Sequence, residues 1–184
     1  MTDTPKSFHL SPEIHDYLVR HGTPPDEIQR ALIEETKRLG GIAIMQIAPE
    51  QGAFMTLLAK LIGARRAIEV GTFTGYSALC LARGLADGGH LLCCDISEEW
   101  TRIGLPYWEK AGVAHKIELR LGPAAETLRA LPADPVVDLA FIDGMHWFDY
   151  ALRDFINLER LCSRGATILV HDCFPVDRAT AQRE

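Results

Sequence analysis

The sequence predicts an α/β protein in which helices cover both faces of a parallel sheet. From residue 67 onward, short apolar strands alternate with segments of helical periodicity, and this alternation is typical of a parallel sheet. A glycine turn, 71–75, follows the first strand, and acidic residues follow the ends of several strands. Open α/β sheets bind ligands beyond the carboxyl ends of their strands, so we expect the functional site there.

Length and composition indicate one ordinary globular domain. The chain has 184 residues, 47% of them hydrophobic, and we expect N-terminal helices over 1–63 and an α/β core over 64–184. The net charge of −6 argues against a nucleic-acid partner. No apolar run looks long enough to cross a bilayer, and the five cysteines lack metal-binding spacing. We therefore expect a cytoplasmic protein with no membrane contact.

Three helices are predicted before the glycine turn. Ser11-Pro12 is a typical cap and first residue for the first helix, and Thr23–Glu27 opens the second in the same way. Gly40-Gly41 ends the second helix. The third runs from near Pro49 to Gly63, and one face is apolar through Phe54, Leu57, Leu58, Leu61 and Ile62.

The core alternates five strands with four helices. The strands are predicted at Ala67–Val70, Leu91–Cys94, Lys116–Leu121, Val136–Ile142 and Ala166–Val170. The helices are predicted at Tyr76–Leu85, Glu98–Ala111, Ala124–Ala130 and Tyr150–Leu161. Pro106 should kink or break the second of these helices, because proline lacks a backbone N–H. The adjacent Cys93 and Cys94 must point to opposite faces of their strand.

The glycine turn favours a cationic ligand over a phosphate. Its glycines are spaced G-x-x-x-G, so the G-x-G-x-x-G fingerprint of dinucleotide binding is absent. Glu69, at the end of the preceding strand, would repel a phosphate and attract a cation. S-adenosylmethionine carries a sulfonium and an ammonium and has no phosphate. The alternative is a strand–turn–helix of the kind found in many α/β proteins.

Four acidic residues, Glu69, Asp95, Asp143 and Asp172, lie at or after strand ends. Asp95 comes 24 positions after Gly71, the spacing at which an acidic residue accepts hydrogen bonds from both ribose hydroxyls. It could also cap the helix that begins near Glu98, and one residue could do both. Together the four acidic residues predict a polar rim at this edge of the sheet.

Asp143 and Asp172 are candidate ligands for Mg²⁺ or another hard divalent cation. His146, three positions after Asp143, and His171 are candidate bases near neutral pH. The alternative is that Asp143 begins a turn and Asp172 caps the last strand. The remaining histidines are expected to be solvated: His9, His15, His21, His90 and His115.

Four segments carry a resemblance to a known family: Met45–Gly52, Glu69–Ser77, Tyr107–Val113 and Leu121–Ala124. Through them, the run from about Ser11 to Leu131 resembles the metal-dependent O-methyltransferases of the caffeoyl-CoA type. The resemblance implies a Rossmann-like class I methyltransferase fold, S-adenosylmethionine as the cofactor and a homodimer.

The same resemblance implies roles for individual residues. It implies that the methionine end of the cofactor binds to Glu69, Gly71, Tyr76 and Ser77, with Thr72 as a further contact. The ribose would bind to Asp95, and the adenine would lie against Ile96, Pro123 and Ala124. Met45 and Gln46 would line the cleft. Asp143 lies between the cofactor and the metal and counts as both a catalytic and a cofactor-binding residue, with His146 as the second catalytic residue.

The second half of the chain departs from that family. The family shows Asp-Ala-Asp-Lys after its fourth strand, and this chain has Asp143-Gly144-Met145-His146. The family's Asp-Asn metal pair stands here as Asp172-Cys173. This half looks more like a methyltransferase branch with Asp-Gly-x-His and His-Asp signatures. No strand pattern follows Val170, so the C-terminal hairpin of the class is expected to be missing.

The predicted activity is methyl transfer from S-adenosylmethionine to a hydroxyl of a small molecule. A catechol-like acceptor held by a divalent cation is one version, and His146 is the expected base if no metal binds. Two alternatives stay open: an S-adenosylmethionine-binding protein without catalysis, and an O-methyltransferase of RNA nucleosides. A nicotinamide dehydrogenase ranks last, because the glycine spacing is wrong for it.

Overall fold

The computed structural model describes residues 11–134 and 136–172. One five-stranded parallel sheet forms its centre, with the strand order β3-β2-β1-β4-β5. The strands are β1 (Arg66–Val70), β2 (His90–Asp95), β3 (Ile117–Leu121), β4 (Val137–Ile142) and β5 (Cys162–Val170). The predicted α/β class and all five strands are confirmed.

Seven α-helices accompany the sheet within the described residues: α1 (Pro12–His21), α2 (Glu27–Lys37), α3 (Pro49–Leu61), α4 (Tyr76–Gly84), α5 (Glu98–Lys110), α6 (Ala124–Ala130) and α7 (Phe148–Glu159). Two short 3₁₀ helices, Gly40–Met45 and Ala114–Lys116, also lie in the described part of the chain, and neither was predicted. From β1 the chain adds β2 and β3 on one side and then β4 and β5 on the other. The point between β1 and β4 is therefore a topological switch point, and the candidate site lies there.

Two hydrophobic clusters occupy the two faces of the sheet. The first contains Leu79 of α4 and Trp108 of α5, and the second contains Leu128 of α6 and Leu158 of α7. Cys93 belongs to the first cluster and Cys94 to the second, which confirms that they point to opposite faces. Helices therefore cover both faces, as the sequence predicts.

The predicted break of α5 at Pro106 and the predicted cap of α2 at Thr23 are wrong. Helix α5 is continuous through Pro106, which lies on its exposed side, where water can satisfy a carbonyl left without its helical partner. Asp26, not Thr23, caps α2: its side chain accepts the backbone N–H of Gln29, and the Gln29 side chain accepts the N–H of Asp26. This reciprocal capping box fixes the helix start three residues later.

The segment Gly40–Leu61 is long and apolar enough to cross a membrane by length and composition alone. The prediction that no run reaches this length is therefore wrong. However, the α-helix in this segment begins only at Pro49, and its 13 residues measure about 20 Å, less than the roughly 30 Å of a bilayer core. Gly52, Met55 and Ala59 are buried, and a buried core helix has the same composition.

Candidate functional site

The glycine turn lies closely against the chain that leaves β4. The backbone N–H of Asp143 donates to Val70 O at 2.8 Å, and the N–H of Gly71 donates to Cys94 O at 2.9 Å. Gly71 has φ +86°, and a Cβ there would lie 2.1 Å from the carbonyl oxygen of Asp143. Only glycine fits at this position. The two backbone hydrogen bonds bring the turn, the end of β2 and the residues after β4 together at one place.

Asp95 holds the glycine turn in shape. One carboxylate oxygen accepts the backbone N–H groups of Thr72 and Phe73, both at 2.8 Å, and the other accepts the N–H of Ser97 at 2.8 Å. These bonds hold Phe73 in a left-handed conformation, φ +50°. Ser97 caps α5, so the alternative that Asp95 is the cap is wrong. Carboxylate oxygens accept more than one hydrogen bond each, which leaves acceptor capacity for a diol.

Glu69 is fully buried at the end of β1, and neither carboxyl oxygen has a hydrogen-bond partner of ordinary geometry. Burial raises the pKa of Glu69 from 4.5 to about 7, although the nearby Ser77, Thr72 and Cys93 side chains act in the opposite direction. Asp143 adds to the rise through like-charge repulsion. A buried carboxyl with only weak hydrogen-bond partners is costly to ionise, and a cationic ligand beside it would reduce that cost.

Tyr76 is a predicted cofactor residue whose ring packs against α3. Its ring lies against α3, where a Cβ on Gly52 would come within 2.8 Å of the ring. Its hydroxyl is buried near Cys80 and has no hydrogen-bond partner of ordinary geometry. Ser77, the next residue, is buried near Glu69. The structure therefore groups Ser77 with Glu69 and directs the Tyr76 phenol away from them.

The predicted adenine contacts lie together at the carboxyl ends of β2 and β3. The N–H of Gly122 donates to Asp95 O at 2.9 Å and joins the two segments. Ile96 is 76% exposed beside this link, and Pro123 and Ala124 follow it at the start of α6. An exposed isoleucine here offers an apolar face for a flat ring.

Met45 and Gln46 lie in the segment between the first 3₁₀ helix and α3. The Met45 side chain is half exposed, and Gln46 is buried. Their predicted place along the cleft stays a prediction.

Four predicted residues form an imidazole–carboxylate cluster: Asp143, His146, His171 and Asp172. His171 Nδ1 lies 2.9 Å from Asp143 Oδ1 and 3.4 Å from Asp172 Oδ1. His146 Nε2 lies 3.9 Å from Asp143 Oδ1 and 3.7 Å from Asp172 Oδ2. His146 is 44% exposed at the side chain and Asp143 only 11%, so the second imidazole faces solvent. The separate sequence signatures after β4 and β5 therefore meet in space.

The cluster does not fit the predicted magnesium site. Within 11–134 and 136–172, no three His, Cys, Asp or Glu residues are arranged to hold a metal ion. Imidazole nitrogens lie within ion-pair distance of both carboxylates, whereas Mg²⁺ requires oxygen ligands in octahedral geometry. The position two after Asp143 holds Met145, which is not such a ligand, and position 173 lies outside the described residues.

Sequence reasoning missed an apolar rim next to the cluster. Met145, Trp147 and Phe148 flank His146, and the side chain of each is more than half exposed. The signal was available in the sequence, because Met145, Trp147 and Phe148 are large apolar residues next to His146, and an exposed patch of such residues is informative. It also missed the support of the turn by Trp108, whose indole N–H donates to Gly75 O at 2.9 Å.

The histidines outside the cluster are only partly as predicted. His15 was expected to be solvated, but its side chain is 16% exposed, and Nε2 lies 3.5 Å from Glu50 Oε2. His90 pairs with Glu118 at 3.1 Å. His9 lies outside the described residues.

The chain is similar to known O-methyltransferases. A sequence profile described as O-methyltransferase matches residues 21–170. Caffeoyl-CoA O-methyltransferase 2 of Petunia hybrida is 44% identical over 160 residues, which are 84% of this chain and 59% of that protein. The chain spans only 58% to 59% of the length of the first curated relatives.

Solved structures agree with the sequence comparison. The O-methyltransferase TomG from Streptomyces achromogenes, in complex with S-adenosylmethionine, has a TM-score of 0.74 at 26% identity, and the match covers 92% of this chain and 79% of that one. The O-methyltransferase from Bacillus cereus, in complex with S-adenosylhomocysteine, has a TM-score of 0.67 at 30% identity. That match covers 77% of this chain and 67% of the other.

Proposed function

The chain belongs to this O-methyltransferase family, and we propose that it transfers the methyl group of S-adenosylmethionine to a hydroxyl of a small molecule. The observation that carries the proposal is Glu69. Its buried carboxyl lacks hydrogen-bond partners of ordinary geometry, and it lies at a turn whose glycine no other residue can replace. A ligand that is cationic and lacks phosphate suits that environment.

We propose that the residues around the turn divide the cofactor between them. Glu69 and Ser77 would hold the charged methionine end, and the spare acceptor capacity of Asp95 would bind the ribose hydroxyls. The exposed Ile96 would pack on the adenine, with Pro123 and Ala124 beside it. Tyr76 would contribute through its backbone alone, because its phenol points toward α3.

When bound, S-adenosylmethionine supplies an electrophilic methyl group, which the acceptor oxygen attacks as the carbon–sulfur bond breaks. The chain has to place that oxygen and remove its proton. In the proposal, His146 Nε2 accepts the proton, because it is the exposed imidazole of the cluster. Asp143 and Asp172 hold the charge that develops on His146, since one oxygen of each lies within 4 Å of that nitrogen. Placement of the acceptor contributes on the order of 7 kcal/mol at best.

The apolar rim of Met145, Trp147 and Phe148 favours an aromatic acceptor. An aromatic ring packed there would bring a ring hydroxyl within reach of His146, and a catechol-like compound has this form. We derive no step through a divalent cation, because the described donor set does not fit magnesium. A homodimer, a cytoplasmic location, and the expected lack of nucleic-acid and membrane partners stay predictions from the sequence.

Calorimetric titration with S-adenosylmethionine tests the cofactor part, first with magnesium and then with a chelator. We expect saturable binding of equal affinity in both. Replacement of Asp143 by alanine should then abolish methyl transfer, and full activity of that variant would refute the proposed site. Binding without turnover on any hydroxyl compound would instead favour a protein that binds the cofactor without catalysis.

A further inference from the structure

A second cleft lies between α2, α3 and α4. Its volume is about 430 Å³, which is within the range of small-molecule sites. Its lining includes Pro24, Pro49, Leu57, Lys60, Tyr76 and Arg83. Apart from Tyr76, none of the predicted cofactor or catalytic residues lines it. We call it the α2–α4 cleft.

The α2–α4 cleft is lined by a buried hydroxyl that has only the Cys80 thiol as a weak partner among the described residues. Tyr76 is 2% exposed, and its hydroxyl has no hydrogen-bond partner of ordinary geometry. The neighbouring Cys80 thiol already accepts the Gln29 amide at 3.3 Å. Sulfur is a weak hydrogen-bond acceptor, so the Tyr76 hydroxyl beside Cys80 is available to a stronger acceptor in the cleft, such as a carboxylate. Burial also raises the pKa of Tyr76, which keeps the hydroxyl protonated and able to donate.

Two cationic side chains and one carboxylate line the same cleft. Arg83 Nη2 pairs with Asp26 Oδ2 at 2.6 Å, and this pair is neutral overall. Lys60 lines the cleft as well, and no ion pair is recorded for it among the described residues. Arg83 and Lys60 outweigh Asp26 by one positive charge, so the cleft favours an anion. Its other walls are apolar, through Pro24, Pro49 and Leu57.

We propose that the α2–α4 cleft binds a small organic anion with an apolar body. The carboxylate or similar anionic group accepts the Tyr76 hydroxyl and pairs with Lys60, and the apolar body lies against the prolines and Leu57. The site is separate from the methyl-transfer site and does not depend on the proposed function. Because Tyr76 begins α4 directly after Gly75, a ligand here would contact the helix that follows the glycine turn.

Fluorine NMR titration with 4-(trifluoromethyl)benzoate tests this site, and the neutral 4-(trifluoromethyl)benzamide is the matched probe. We expect saturable binding of the benzoate, at least about tenfold tighter than the amide, a difference of about 1.4 kcal/mol. Lys60→Met and Tyr76→Phe should each weaken benzoate binding about five- to tenfold. Lys110→Met removes an exposed lysine of α5 that does not line the cleft, and it should change nothing.

Three results would overturn the inference: no saturable binding, equal affinity for acid and amide, or unchanged affinity in the two cleft variants. Competition by S-adenosylhomocysteine would also overturn it, because the probe would then occupy the cofactor site. Melting temperatures check that the variants fold. Should Tyr76→Phe not fold, Lys60→Met still decides the question, because Lys60 is exposed on the surface of α3.

Discussion

Cofactor binding should release a proton from Glu69. Burial raises the pKa of this carboxyl to about 7 in the free protein, where its oxygens have no hydrogen-bond partner of ordinary geometry. A cationic ligand beside it stabilises the ionised form and lowers that pKa. With a pKa of about 7, roughly 0.9 of the molecules carry the proton at pH 6 and roughly 0.1 at pH 8. Binding should therefore release close to one proton at pH 6 and almost none at pH 8.

Calorimetry in buffers of different ionisation enthalpy measures this release directly. The slope of the apparent binding enthalpy against the buffer enthalpy gives the number of protons exchanged. Glu69→Gln has no carboxyl to titrate, so the slope at pH 6 should fall by about 0.9 and the affinity by about tenfold or more. Glu98→Gln, on the exposed start of α5, is the matched control and should match the wild type. An identical slope in Glu69→Gln and the wild type would refute the reasoning.

The same carboxyl should make the stability of the free protein depend on pH. The unfolded chain loses the Glu69 proton near pH 4.5, whereas the folded chain keeps it up to about pH 7. Its contribution is therefore fully present below pH 4.5 and is lost as the pH rises through 7, a change of about 3 kcal/mol. Glu69→Gln should remove this loss, so its stability relative to the wild type should increase between pH 5 and pH 8 in urea unfolding.

Three further predictions concern the turn and the base. Gly71→Ala should lower the free energy of unfolding, measured in urea, by about 3 kcal/mol or more, because the new Cβ would meet the carbonyl oxygen of Asp143. Gly88 also has a positive φ but open space around it, so Gly88→Ala should lower that free energy by only about 1 kcal/mol. Equal losses would contradict the steric argument. Asp95→Asn should lower the free energy of unfolding by about 1–3 kcal/mol and weaken cofactor binding, and unchanged affinity in calorimetry would remove Asp95 from the site. His146→Gln should lower kcat about 10²- to 10⁴-fold with unchanged cofactor affinity, and wild-type kcat in a single-turnover assay would exclude His146 as the base.

The sequence predicted most of the sheet because β1, β2 and β4 are short, largely apolar runs that end at a glycine or an acidic residue. Gly71, Asp95 and Asp143 were identifiable for the same reason: each lies at or directly after the end of a strand, where the fold leaves one edge open to ligands. The meeting of His146 with His171 depended on β4 and β5 being neighbours, and the parallel order made that a reasonable expectation.

Other features depended on tertiary contacts that spacing does not contain. The continuous helix through Pro106 depends on which side of α5 faces solvent, and Trp108 on the other side anchors that helix to Gly75. The direction of the Tyr76 ring depends on Gly52, 24 positions away, which leaves room for it under α3. The contacts around the predicted metal ligands depend on the fold in the same way, because imidazoles from two segments approach the same two carboxylates.

Methyl transfer itself is the central claim, and one assay tests it most directly. The protein is incubated with S-adenosylmethionine labelled in the methyl group, a panel of catechols and other phenols, and a chelator. We predict label in at least one acceptor, with one S-adenosylhomocysteine formed per methyl group transferred and no transfer by the Asp143→Ala variant. Cofactor binding without label in any acceptor, with or without added divalent cations, would contradict the claim.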